Sequence, residues 1–425
     1  MTMENNETTA LRPITKEERK GWVSIAFVQA GICVCVPAFL LGALLAEAMP
    51  IWPAIISGSL GYLLVVVGMI VTGIMGCDLG IASCTTCEDG FGKTGARFIV
   101  STVFAVNMIG WFGIQNGVCG EAFTHALENM TGFHMPVVVS STIWGVIMLL
   151  TAVFGIKALE LLDKISIPLL MIIMLYGTFL AFKIYGTGAL NEDTVQTMSF
   201  MSGVALSFNF TAVGTITASD YTRFQKSRRD TVKSTFYGVF PMGVVTLVLG
   251  ILLTKMSGQY DISMVLIEVG LPLLGIIALI ISTWTTNSTN AYSAGLNIVM
   301  AFKLKDNRRR EATLISGIIG IVLCDIGILN SVEGVLSLLS YVVCPIGGVI
   351  LAEYWIVGKG KPENFKSREG VNWAGVVAWA LGAVIAYFIG IEFTGILVGA
   401  VIYLIAIRII PYKGKMEYLI KEKNK

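Results

Sequence analysis

Long apolar stretches separated by short polar ones run along this chain from residue 22 to residue 411. Twelve of them come near the roughly 20 residues that a helix needs to cross a bilayer. They are 22–45, 51–75, 97–120, 136–156, 165–183, 198–218, 234–254, 263–300, 312–330, 332–357, 371–389 and 391–411. The pattern therefore predicts an all-α integral membrane protein with twelve transmembrane helices. The eighth stretch is too long for a straight crossing, so part of it is expected to be loop or tilted helix.

That eighth stretch also breaks the apolar rule. Ser282-Thr283-Trp284-Thr285-Thr286-Asn287-Ser288-Thr289-Asn290 places hydroxyl and amide side chains at bilayer depth, where polar groups are costly unless they face protein, ligand or ion. On a helix Ser282, Thr285, Thr286, Thr289, Asn290 and Ser293 follow i, i+3, i+4, i+7, i+8 and i+11, which makes one continuous stripe. The stripe carries no charge. It suits a neutral guest or a small cation satisfied by oxygen atoms.

Two other segments show interruptions. In the first, Gly31 precedes Pro37 by six residues near mid-depth; in the sixth, Ser207 to Thr217 is polar and contains Gly214. Spans one and six would occupy equivalent places in two inverted five-helix halves, and breaks at such places point to a midplane binding site. Small and polar residues also serve close helix packing, and the pattern alone leaves both readings open. In the third span Trp111 and Gln115 lie one turn apart on one face,. An aromatic plane beside a carboxamide fits a flat heterocycle, the ring stacking on indole and the amide reading its edge. A tryptophan there can equally serve packing.

Composition agrees with the membrane reading: 55% of the 425 residues are hydrophobic and 14% charged, with mean hydropathy +0.76,. With the N-terminus cytoplasmic, all but Lys183 and Lys255 of the 30 lysines and arginines fall on one side, as topology signals do. Basic clusters such as Asn307 to Arg310 are thus read as span-end determinants, and no nucleic-acid partner is expected. Cys84-Thr85-Thr86-Cys87 lacks a second pair or a nearby histidine, so it is not read as a metal site. No nucleophile, acid–base pair or metal cluster assembles as an enzyme needs. The spans hold few ionisable residues, and hydroxyls and carbonyls are expected at the midplane in their place. Oxygen-only ligation suits Na+ better than a proton.

Several motifs, in order, carry a family resemblance. Gly110-Trp111-Phe112-Gly113, Gly214-Thr215-Ile216-Thr217-Ala218 with Asp220 and Arg223-Phe224, Trp284-Thr285-Thr286-Asn287 with Tyr292, Pro345 to Ile350 followed by Glu353-Tyr354, and Val371-Asn372-Trp373 resemble the cytosine-permease branch of the nucleobase:cation symporter-1 family. The resemblance runs from residue 19 onward. It implies a leucine-transporter-like fold with two inverted five-helix repeats plus two C-terminal helices. The layout would be a cytoplasmic tail 1–21, a first repeat 22–186, a second repeat 198–357, two further helices in 371–411 and a cytoplasmic tail 412–425. It implies a bacterial plasma-membrane carrier with no obligate protein partner.

By the same resemblance, Na+ is expected on backbone oxygens of Gly31, Val34 and Ser282 and on the hydroxyls of Thr285 and Thr286. A nucleobase is expected between Trp111 and Phe210, with Phe208 in reserve, read by Gln115, Asn209, Ser282 and Asn287. Departures from the cytosine pattern lie at Met108, where close relatives carry Gln, and at Ser282 and Asn209. The expectation is Na+-coupled import of a nucleobase, cytosine first, by alternating access. The alternative is a proton-coupled symporter of a purine or hydroxymethyl-pyrimidine.

Overall fold

The computed structural model describes residues 11–191, 195–259, 262–268, 270–328 and 332–419. The ends of both expected tails, including Lys421, Lys423 and Lys425, lie outside the described residues. Helix occupies part of each of the twelve expected segments. The chain runs α1 (Trp22–Cys33), α2 (Val36–Ala48), α3 (Ile51–Leu79), α4 (Ser83–Thr86) and α5 (Glu88–Gly95). A π-helical turn, Ala96–Val100, leads into α6 (Ser101–Thr131), followed by α7 (Val137–Val153) and α8 (Ile156–Tyr185). Next come α9 (Phe200–Thr211), α10 (Gly214–Thr217), α11 (Ser219–Thr222), α12 (Arg228–Ser257), α13 (Ile262–Glu268) and α14 (Pro272–Ala301). The C-terminal part holds α15 (Arg309–Asp325), α16 (Val332–Leu351), a π-helical Ala352–Val357, β1 (Lys366–Arg368), α17 (Trp373–Ile389), α18 (Thr394–Ile409) and β2 (Met416–Tyr418).

Among the described residues, five helical stretches are long and apolar enough to cross a membrane alone, and two bent pairs reach that standard together. The bent pairs are the expected broken spans: α1 with α2 at 49°, and α9 with α10–α11 at 48°. The eighth segment divides as well. Gly270 takes φ 85°, a left-handed conformation open to glycine, and Pro272 then starts α14, where its missing N–H costs nothing. The third segment is longer than its apolar run: a turn from Glu88 breaks at Gly92 (φ 76°, ψ 158°), and helix then runs on to Thr131, with His125 on α6.

Close packing explains much of the polar content of the sixth segment. α3 lays Gly61, Gly68 and Gly76 against Ser207, Thr215 and Ser219, where an added Cβ would come within 2.5, 2.9 and 2.6 Å of its neighbour. Hydroxyls then bond across the seam: Ser207 to the Gly58 carbonyl at 2.6 Å, Thr72 to that of Thr215 at 2.6 Å, Ser219 to that of Thr72 at 2.9 Å. Small residues with interhelical hydroxyl bonds hold helices together where lipid supplies no hydrophobic drive. α1 and α2 pack on α12, α6 packs on α14, and α16, α17 and α18 group together. Outward faces stay apolar, with Trp52, Ile172, Leu273 and Phe388 exposed.

One end of the bundle is laced by polar contacts. β1 pairs antiparallel with β2, Ser367 opposite Glu417. Buried Arg368 donates to Glu353 at 2.5 Å, and Tyr403 donates to the other Glu353 oxygen at 2.6 Å.

Candidate functional site

Four oxygen atoms converge where α1 stops. Cys35 adopts extended backbone, φ −145° and ψ 160°, so its N–H does not return to the carbonyl four residues back. That carbonyl belongs to Gly31. It accepts from Thr286 Oγ1 at 2.7 Å and lies 3.4 Å from Thr285 Oγ1. The same hydroxyls reach the Ser282 carbonyl, Thr285 at 3.0 Å and Thr286 at 3.3 Å. All three α14 residues are buried. Val34 stands at the break itself, its N–H on the Ala30 carbonyl at 3.0 Å.

Neutral oxygens from an interrupted helix and a hydroxyl pair are the donor type a small hard cation takes. The structure thus brings Gly31, Ser282, Thr285 and Thr286 together. The Ser282 hydroxyl is not part of that cluster, because it donates to the Leu279 carbonyl of its own helix at 3.0 Å.

Directly beside this cluster is a cavity whose lining includes Tyr62, Trp111, Gln115, Phe210, Thr286 and Asn290. Gln115 is buried and its Oε1 has no hydrogen-bond partner, and the same is true of the Tyr62 hydroxyl. Buried polar atoms are seldom left unpaired, so both are open to a guest. The Trp111 and Phe210 rings stand 6.4 Å apart at 58°. A flat ring held between two aromatic planes needs them parallel and about 7 Å apart, two carbon contacts of about 3.5 Å. One of the two rings must therefore rotate for a base to lie between them. Phe208 packs instead on Phe393, with centroids 5.5 Å apart.

Three expected base contacts, Ser282, Asn287 and Asn209, fall outside this lining. Asn287 faces away from the cavity: its Nδ2 donates to the Phe112 carbonyl at 3.2 Å. The cause is helical phase, since position 287 lies about 100° round from Thr286 at 3.6 residues per turn. Asn290 comes back onto the stripe and lines the cavity in its place. Asn209 lines a second pocket with Glu47, Thr197 and Ser337, and Phe210 borders both pockets. Phe210 is thus the partition between them.

Polar contacts knit the chain together around Tyr221, which also lines the cavity. Tyr221 and Ser293 hydroxyls meet at 2.8 Å, Arg223 donates to the Tyr292 hydroxyl at 2.9 Å, and Asp220 accepts from the Ser83 N–H at 2.8 Å. Ser293, the last member of the predicted stripe, is held in the first of these contacts.

The expectation of a midplane without carboxylates is overturned by Asp163. The fifth apolar run begins at 165, but α8 starts at Ile156 and carries Asp163 fully buried. Helical spacing held the signal: Leu159, Asp163, Ile167 and Leu170 lie on one face, and all are buried. Tyr62 was missed because a tyrosine among the apolar residues of α3 reads as packing.

Comparison with known proteins decides the family. The family model for permeases for cytosine/purines, uracil, thiamine, allantoin matches residues 13–407. The chain belongs to this family. It is a multi-pass membrane transporter, and its motifs had pointed to the same nucleobase:cation symporter group. The cytosine permease of Escherichia coli (strain K12) is 28% identical over 414 residues, 95% of each chain. In fold the chain is similar to Mhp1, a nucleobase-cation-symport-1 family transporter solved closed with bromovinylhydantoin bound. That match has TM-score 0.83 and 17% identity, and it covers 99% of this chain and 98% of the other. A Na+-coupled sialic acid symporter, solved substrate-bound and outward-open, matches with TM-score 0.64 and 14% identity over 97% of this chain and 94% of its own. These likenesses establish the transporter fold.

Proposed function

We propose that this permease imports a nucleobase, cytosine first, by symport with Na+ through alternating access. One observation carries the reading. Thr286 belongs both to the four-oxygen cluster and to the wall of the cavity that holds Trp111 and Gln115. Gly31, Val34, Ser282, Thr285 and Thr286 would hold the cation. Trp111 and Phe210 would stack the base, and Gln115, Asn290 and Tyr62 would read its edge. Asn209 would meet the base on its way in, from the pocket beyond Phe210.

The compounds for which the family is described are flat nitrogen heterocycles for the most part, which supports an aromatic clamp with an amide reader. Both termini are taken as cytoplasmic, with twelve crossings and two inverted repeats, from the one-sided distribution of lysine and arginine. Phe210 then bars the outer entrance, and Tyr221 with Ser293 bars the inner one. Each sodium crossing about 100 mV contributes roughly 2.3 kcal/mol, and a tenfold gradient adds about 1.4 kcal/mol. Together these support a few-hundred-fold accumulation.

The test is uptake of radiolabelled cytosine into proteoliposomes under imposed Na+ or pH gradients, competed by a panel of bases. Accumulation driven by Na+ and competed best by cytosine is expected. Uptake that follows pH alone would replace sodium with a proton. A competitor that outranks cytosine would rename the substrate.

A further inference from the structure

Asp163 is a buried charged residue outside the contacts assigned above to cation and base. Its side chain is fully buried, and neither carboxylate oxygen has a hydrogen-bond partner. α8 packs against both α1 and α14, the two helices that supply the oxygen cluster. The carboxylate lies directly on Gly31, where a Cβ would come 2.6 Å from Oδ1 and 3.3 Å from Oδ2. Glycine at 31 is what lets it approach so closely. An isolated carboxylate in a protein interior is tolerated when it is paired or serves a metal ion. Here the group next to it is a cluster of oxygens without a counter-charge.

We propose that Asp163 is the anionic member of the cation site, drawing the cation to the neutral oxygens of Gly31, Ser282, Thr285 and Thr286. The proposal rests on the sodium reading above and adds a residue from a third helix to it. Four neutral oxygens can orient a cation, but they attract it only through their dipoles. A carboxylate beside them supplies a full charge in a poorly screened interior, where Coulomb attraction acts strongly. Cation binding in turn relieves the unpaired carboxylate, so occupancy should tighten α8 onto α1 and α14.

The experiment is thermal unfolding of the purified protein across a NaCl series, with choline chloride holding ionic strength constant. Asp163→Asn and Asp163→Ser are compared with Asp163→Glu and wild type. Both neutral variants are expected to need at least about tenfold more Na+ for half-maximal stabilisation, the scale of losing one partner of a buried charge pair. Asp163→Glu should recover part of that loss. In sodium-free buffer Asp163→Asn should melt no lower than wild type, because a neutral amide costs less to bury than an unpaired carboxylate. A merely structural aspartate would not separate these two readouts. If either neutral variant folds and keeps the wild-type Na+ midpoint, the proposal is overturned. If wild type itself is indifferent to Na+, the sodium reading fails first and takes this one with it.

Discussion

The Thr286 hydroxyl lies 2.7 Å from the Gly31 carbonyl oxygen, and the same side chain faces the cavity of Trp111 and Gln115. One residue thereby touches both proposed binding positions. Coupling between two bound species is a shared free energy, so each must change the other's affinity by the same factor. Thr286→Val keeps the shape and removes the hydroxyl. It should raise the Na+ concentration for half-maximal enhancement of cytosine binding by about tenfold, equivalent to about 1.4 kcal/mol. It should also shrink the factor by which Na+ tightens base binding. Isothermal titration with cytosine at several Na+ concentrations reads both effects, and an unchanged coupling factor would remove Thr286 from the link.

Trp111 offers the wider aromatic face, while Phe210 stands tilted and borders both pockets. Trp111→Ala should weaken base binding by about tenfold to a hundredfold, since stacking is worth roughly 1–3 kcal/mol per base. Phe210→Ala removes a stacking plane and a partition at once. It should therefore weaken binding and also speed both association and release. Stopped-flow quenching of tryptophan fluorescence separates the two variants, and slower release in Phe210→Ala would rule out its role as a partition.

Gln115 and Asn287 sit on facing helices but differ in what they touch. Gln115 leaves Oε1 unpaired at the cavity, whereas Asn287 lies outside the cavity lining, its Nδ2 tied to the Phe112 carbonyl and its Oδ1 unpaired. Gln115→Ala should reorder the competition among bases, because a mismatched buried polar group costs about 1–3 kcal/mol. Asn287→Ala should leave that order intact and lower thermal stability by about 1 kcal/mol through the lost helix–helix bond. Asn290→Ala should behave like Gln115→Ala. Competition assays and melting curves on the three variants check the division, and a reordered panel in Asn287→Ala would break it.

What the sequence revealed and what it hid have the same physical source. The polar stripe was visible because hydroxyls are rare among lipid-facing residues, and its i, i+3, i+4 spacing named the face that holds Thr285, Thr286, Thr289 and Asn290. The break after Gly31 was visible because Pro37 cannot donate to the helix ladder. Asn287 was misjudged because membership of a motif overrode its helical phase. Asp163 was hidden because an apolar-run criterion ends a span at the first charge, so a carboxylate on the buried face is read as the start of a loop. The hydroxyl of Ser207 looked like lining but bonds to the Gly58 carbonyl of α3, a distinction made only by a partner helix distant in sequence.

The N-terminal segment ties together elements that carry the site. Leu11 and Arg12 give backbone N–H bonds, each 3.1 Å, to the Asp306 carboxylate beyond α14; Ile14 donates to the Gly80 carbonyl after α3; Arg19 bonds the carbonyls of Cys77 and Gln225. Arg12 and Glu18 brace this segment with bonds of 2.9 and 2.5 Å. The Arg12 hydrogen bond holds the Glu18 carboxyl down from its ordinary 4.5 to about 2. A depressed carboxyl pKa stabilises the docked segment at pH above the ordinary value, and that contribution is lost as pH falls from about 4.5 through about 2. The pair is partly exposed, side chains 39% and 36% accessible, so its effect should be modest and weakened by salt. Hydrogen-exchange protection of amides 11–20 should therefore step down across that acid window in wild type. In Glu18→Gln, protection should be lower at neutral pH and show no such step, and a step of equal size in that variant would assign it to another group.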